Sequence, residues 1–161
     1  MSNYPWLDEA RKHIGLEEVV GVQHNPEVLQ MWKDIRRGGI KDDETPWCAA
    51  FVGAMLERVG VHSSRFESAT SYLNWGIELQ RPVTGCIVVF TRVGGGHVGF
   101  ATGKTVDGNL LVLGGNQSDA VNIRAFELGR VSGYRWPAGV PVVDEPLAVV
   151  ADDVPLSSTE A

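Results

Sequence analysis

Two residues forty-nine positions apart carry the first chemical signal in this 161-residue chain. Cys48 lies in the run Thr45-Pro46-Trp47-Cys48-Ala49-Ala50-Phe51-Val52, and His97 directly follows Val93-Gly94-Gly95-Gly96. Asn116 stands nineteen residues beyond the histidine, in Gly114-Gly115-Asn116-Gln117-Ser118. A thiol, an imidazole and an amide are the parts of a thiol-hydrolase site, with sulfur as nucleophile, the ring as proton carrier and the amide holding the ring. Asn116 is the candidate for the amide, and Gln117 is a second candidate for that role or for the oxyanion.

Such residues act only if local structure aims them. Thr45 is a natural helix N-cap and Pro46 suits the first helical position, which predicts Cys48 at the third. There the sulfur lies near backbone N–H groups without helical partners and near the positive dipole end, both of which favour thiolate. The same N–H groups are candidate donors to an oxyanion. The helix is apolar nearly all round from Trp47 to Leu56, which predicts burial between other elements, and Gly60 is its expected stop. Period-two alternation puts His97 on one strand face with Gly99 and Ala101, and Val98 and Phe100 on the other. A face of small residues leaves room beside the imidazole for a packed helix or a substrate. Each residue also has a plain structural reading: a buried packing cysteine, a structural histidine, and a turn asparagine after Gly-Gly.

The remaining pattern supplies a scaffold. Trp6, Ala10 and Ile14 form a helical stripe ended by Gly15, and a second helix is expected from Pro26 to about Arg36. Lys41-Asp42-Asp43-Glu44 reads as a polar connector, and a short helix is expected around Ser71–Leu79. Five strand-like segments follow: 86–90, 97–101, 109–113, 120–124 and 131–135, with Asp107-Gly108 as a hairpin turn. Helices followed by strands indicate an α+β fold, the N-terminal helices packed on a roughly five-stranded antiparallel sheet. The expected domain spans residues 1–137, and residues 138–161 read as an acidic, Pro-containing mobile tail, although 147–150 are apolar enough to dock.

Composition removes several function classes. The net charge is −6, and Asp144, Glu145, Asp152, Asp153 and Glu160 place −5 of it in residues 138–161, leaving a near-neutral body without a basic nucleic-acid footprint. No apolar run approaches the roughly 18–20 residues of a membrane span. The first residues lack the basic start and apolar stretch of a secretory signal, so synthesis in the cytoplasm is expected, with any work outside it depending on another route. Two cysteines allow one disulfide at most, and a Cys48–Cys86 bridge would silence the nucleophile. The segment from Gly99 to Thr105 imitates a phosphate loop, but Val98 stands where that loop needs glycine and a hairpin follows instead of a helix. Cys48, Cys86 and His97 lack the spacing of a zinc site, and the pairs Glu17-Glu18 and Asp42-Asp43 read as solvated or capping groups. No cofactor or metal is expected, and the protein is expected to be a monomer.

Taken together, these stretches resemble a known family. Pro5-Trp6 through Glu18, His24-Asn25-Pro26, Pro46 to Val52, Ser71 to Gly76, Val88 to Arg92, Gly96 to Phe100 and Leu113 to Gln117 are similar to papain-like peptidoglycan hydrolases of the NlpC and CHAP groups. They more closely resemble a phage-associated subfamily of small cell-wall hydrolases. The resemblance covers residues 5–137 and omits the tail. It implies a papain-like fold in which Cys48 attacks an amide of the peptidoglycan stem peptide, His97 serves as base and then acid, and Asn116 orients the ring. Trp47, Tyr72, Trp75 and Arg92 are the candidates for a substrate groove. The implied activity is that of a phage endolysin acting in the periplasm, with cleavage between D-Glu and diaminopimelate favoured. An amidase of the same fold, a delivered antibacterial effector and a catalytically silent wall-binding module are the alternatives. Two positions depart from the family: Gly114 stands where many CHAP enzymes carry Glu, and Cys86 where the subfamily commonly has Asp.

Overall fold

The computed structural model describes residues 4–17, 25–40, 46–92 and 95–151. Three α-helices precede the sheet: α1 (Pro5–Arg11), α2 (Pro26–Asp34) and α3 (Cys48–Arg58). Helix α1 stops earlier than its stripe predicted. Residues 12–15 turn, Gly15 takes φ +103°, and Ile14 ends exposed. Helix α2 begins at a Pro after Asn25, whose side chain caps it by accepting from the Glu27 N–H at 2.9 Å.

The C-terminal part of the chain is a seven-stranded sheet, made of β1 (Ile77–Leu79), β2 (Ile87–Arg92), β3 (Gly95–Thr105), β4 (Leu110–Gly114), β5 (Asn122–Phe126), β6 (Val131–Trp136) and β7 (Val149–Val150). Six strands run in the order β1-β6-β2-β3-β4-β5 with antiparallel neighbours, and β7 joins β3 in parallel. The five strands expected from the sequence are present as β2 to β6, and the α+β class holds. Two strands were missed because three and two residues are too few for alternation to show. One of them falls where a helix was expected: residues 69–74 form a 3-10 helix, and the chain then extends into β1 along β6.

The segment expected to trail as a mobile tail instead docks as far as β7. Lys104 N–H donates to the Ala148 carbonyl at 2.9 Å and Thr84 N–H to the Glu145 carbonyl at 3.0 Å. The physical reason is a vacancy in the sheet. Strand β2 pairs with β3 only as far as Phe100, which leaves the edge at Lys104 and Thr105 for β7 to satisfy.

Helix α3 lies at the centre, packed on α1, α2, β3 and β4, and its residues 48–56 are all buried. Trp6 meets Trp136 edge-to-face at 5.3 Å and donates from Nε1 to the Gly85 carbonyl, which fastens α1 to the sheet.

Candidate active site

The residue at the helix start is better exposed to backbone donors than its sequence suggested. Helix α3 begins at Cys48 itself, with Trp47 as a non-helical N-cap residue that makes no side-chain cap. Cys48 is therefore the first helical residue and not the third; Thr45, the expected cap, lies outside the described residues. The first helical hydrogen bond runs from Phe51 N–H to the Trp47 carbonyl at 2.9 Å, so the N–H groups of Ala49 and Ala50 open toward the same end as the sulfur. Cys48 keeps 4% exposure, the narrow opening expected of a thiol that must meet a substrate.

His97 stands opposite Phe90 in the β2–β3 ladder and is fully buried, at 0% exposure. Its ring lies nearly parallel to Phe90 and Phe126, with centroids 6.0 and 5.6 Å away. The small-residue face of His97, Gly99 and Ala101 left room for either a packed helix or a substrate, and α3 was one candidate to cover it. It does not do so. Phe51, one turn beyond Cys48, meets Phe100 edge-to-face at 6.3 Å, so α3 covers the alternate face. The space over Gly99 is filled by the Val112 side chain of the neighbouring strand.

Helix α3 and the imidazole each come up against one of two consecutive glycines, Gly114 at the end of β4 and Gly115 just after it. A Cβ added to Gly115 would stand 2.6 Å from Phe51 Cβ and 2.7 Å from Trp47 Cζ3, so this glycine lets the start of α3 settle on the strand end. A Cβ added to Gly114 would stand 3.2 Å from His97 Nε2 and 2.5 Å from Gln117 Oε1. Trp47, the residue before Cys48, and the imidazole thus lie against neighbouring residues, neither of which carries a side chain.

The side chain on His97 Nε2 is that of Gln117, whose Oε1 is 2.8 Å away. Asn116, the first choice for the orienting amide, instead adopts a left-handed turn conformation with φ +57°. The turn rotates the following residue inward, and Gln117 occupies the very room that a side chain at position 114 would need. This gives the departure at Gly114 a physical meaning: the side chain bonded to the imidazole comes from three residues further along. Asn122 was overlooked as a site residue because it reads only as part of a strand. It holds the far end of Gln117, accepting from Gln117 Nε2 at Oδ1 and donating from Nδ2 to the Gln117 carbonyl, at 2.9 and 2.8 Å.

The expected aromatic groove is not assembled. Trp47 is fully buried beneath Gly115, and Tyr72 is buried with its hydroxyl facing Gly53 of α3. Trp75 is half-buried, donates to the His62 carbonyl at 3.0 Å, and borders a separate groove of about 290 Å³ between residues 60–62 and 138–140. Arg92 ends β2 opposite Gly95, and its side chain lies outside the described residues. The 3-10 helix meant to supply aromatic rings meets β3 through Thr70, whose Cγ2 comes within 3.1 Å of a Cβ placed on Gly96.

Cys86 is remote from this chemistry. The two cysteines form no disulfide. Ala101 N–H donates to the Cys86 carbonyl, which places Cys86 four strand residues from His97, roughly 13 Å along β3. Burial pushes its thiol up to about 12, which keeps it protonated and unreactive. Among the described residues, no group of three or more His, Cys, Asp or Glu is placed to hold a metal ion.

With this geometry in view, the comparison with known families is specific. Residues 40–116 match the CHAP domain family. The matched span holds Cys48, His97 and Asn116 and ends one residue before Gln117. No curated protein matches the chain.

Proposed function

We propose that this chain, whose residues 40–116 match the CHAP domain family, is a peptidoglycan hydrolase of the amidase or peptidase kind and cleaves a stem-peptide amide through Cys48. The observation that carries this reading is that Cys48 opens α3, whose start packs on Gly115, while the His97–Gln117 pair packs on the adjacent Gly114. In the proposed reaction His97 takes the Cys48 proton as sulfur adds to the amide carbonyl. The helix-start N–H groups stabilise the oxyanion. Collapse breaks the C–N bond, and the imidazolium returns its proton to the departing amine. Water, deprotonated by the same ring, then hydrolyses the thioester and releases the thiol.

We read the bond as the one between D-Glu and diaminopimelate, the setting as phage lysis, and the place of action as the periplasm after synthesis in the host cytoplasm. The sequence resemblance supports each of these three points. The decisive experiment follows the turbidity of outer-membrane-permeabilised cells. Wild-type protein clears the suspension, and Cys48→Ala and His97→Ala each lose at least ~100-fold in rate. Clearing by Cys48→Ala rejects the thiol mechanism, and no clearing by the wild type favours a silent wall-binding module. Mass spectrometry of the released muropeptides names the bond, distinguishing the endopeptidase from an N-acetylmuramoyl-L-alanine amidase.

A further inference from the structure

Gln117 is gripped at both ends of its amide. Its Oε1 is 2.8 Å from His97 Nε2. Its Nε2 faces three acceptors: the Val112 carbonyl at 3.2 Å, the Asn122 carbonyl at 2.9 Å and Asn122 Oδ1 at 2.9 Å. Asn122 closes the ring by donating from Nδ2 to the Gln117 carbonyl. A carboxamide donates only from nitrogen and accepts only on oxygen. Turning the Gln117 amide over would aim its oxygen at three other oxygens inside the protein, where polar groups left unmatched are costly. One orientation survives, and in it the imidazole meets an acceptor.

We propose that Asn122 is a positioning residue that fixes the tautomer of His97 through Gln117, holding the ring proton on Nε2 and leaving Nδ1 as the basic nitrogen. The effect on rate rests on the reading of His97 as the base of a Cys48 reaction; the tautomer does not. A corollary sets this site apart from one built on an acid. A carboxylate at position 117 accepts from His97 with one oxygen, but its other oxygen faces the three acceptors that the amide nitrogen now satisfies. Gln117→Glu therefore weakens the site, even though a negative charge beside an imidazole ordinarily favours the imidazolium.

The test is long-range 1H–15N correlation of the His97 ring in uniformly 15N-labelled full-length protein, recorded above the pH at which the ring titrates. The expected wild-type pattern is that of a ring protonated at Nε2. Asn122→Ala removes one of the three acceptors and the bond that holds the Gln117 carbonyl, so the amide is freer to turn; it introduces the Nδ1-protonated form beside the other and lowers kcat by ~10-fold or more with little change in KM. Asn122→Asp keeps an acceptor for Gln117 Nε2 and restores the wild-type pattern. Gln117→Glu loses activity by a similar factor. An Nδ1-protonated ring in the wild type overturns the proposal, whether or not the protein lyses walls. So does an Asn122→Ala protein with unchanged spectrum and rate, or a Gln117→Glu protein that gains activity. If Asn122→Ala does not fold, the wild-type spectrum and Gln117→Glu still decide. An Nε2-protonated ring in a protein that never cleaves peptidoglycan supports this inference and rejects the proposed function instead.

Discussion

Gly115 carries no side chain because its place is already taken by Phe51 and Trp47. Its backbone is not strained, so the requirement is one of space and not of φ. Gly115→Ala must push the start of α3 off the strand end, at a cost of about 1–3 kcal/mol, and move Cys48 relative to His97. The expected result is a lower denaturation midpoint together with a fall in lytic rate. Gly129→Ala, where nothing lies within 4 Å of the added Cβ, is the control expected to leave both unchanged. Equal behaviour of the two variants would show that close approach at Gly115 has no consequence. The same spatial logic governs the imidazole. Gln117 reaches His97 only because position 114 leaves its side-chain volume empty.

At the scale of elements, the loop after α3 is tied down by one carboxylate at the end of that helix. Glu57 accepts from Ser63 N–H at 2.9 Å and Ser63 Oγ at 2.8 Å, and pairs with both Nε and the NH2 group of Arg65 at 2.8 and 3.1 Å. The pair helps hold Arg65 in a left-handed conformation with φ +55°. Burial alone would raise the Glu57 carboxyl, but the hydrogen bonds from Arg65 and Ser63 outweigh it and bring it down to about 2. Because the folded value lies below the ordinary 4.5, this carboxylate stabilises the fold fully above about pH 4.5, and the contribution is lost as pH falls toward 2. Urea midpoints measured across that range should decline on acidification. Glu57→Gln should be less stable at neutral pH by about 1–3 kcal/mol and show a flatter decline. A decline as steep in Glu57→Gln as in wild type would assign the acid sensitivity to other groups. This loop leads to the 3-10 helix that meets β3 beside His97, so loosening it should lower lytic rate before global unfolding.

For the whole molecule, the chain beyond residue 137 belongs to the fold as far as it is described. It contributes β7, the Glu145 and Ala148 carbonyls that accept from the sheet, a bond from Trp136 Nε1 to the Val140 carbonyl at 3.1 Å, and a bond from Tyr4 hydroxyl to Glu145 at 2.8 Å. Removing residues 138–161 should lower stability by about 2 kcal/mol or more, read as a drop in Tm against the full chain. An unchanged Tm would mean that these contacts are dispensable. The sequence alone determined the parts that depend on local chemistry. It placed five of the seven strands, the α+β class, the turn at Asp107-Gly108 and Cys48 at a helix start, because alternation, apolar runs and turn residues act over a few neighbours. Tertiary structure decided what depends on partners far along the chain. It set the Gln117 side chain, and not that of Asn116, against the imidazole because a left-handed turn swings one inward and glycine at 114 leaves the room. It buried Trp47 and Tyr72, which the resemblance offered to a groove, and it drew the acidic C-terminal segment onto a strand edge that β2 leaves bare. Periodicity reports which side of an element a residue occupies; only packing decides what stands opposite it.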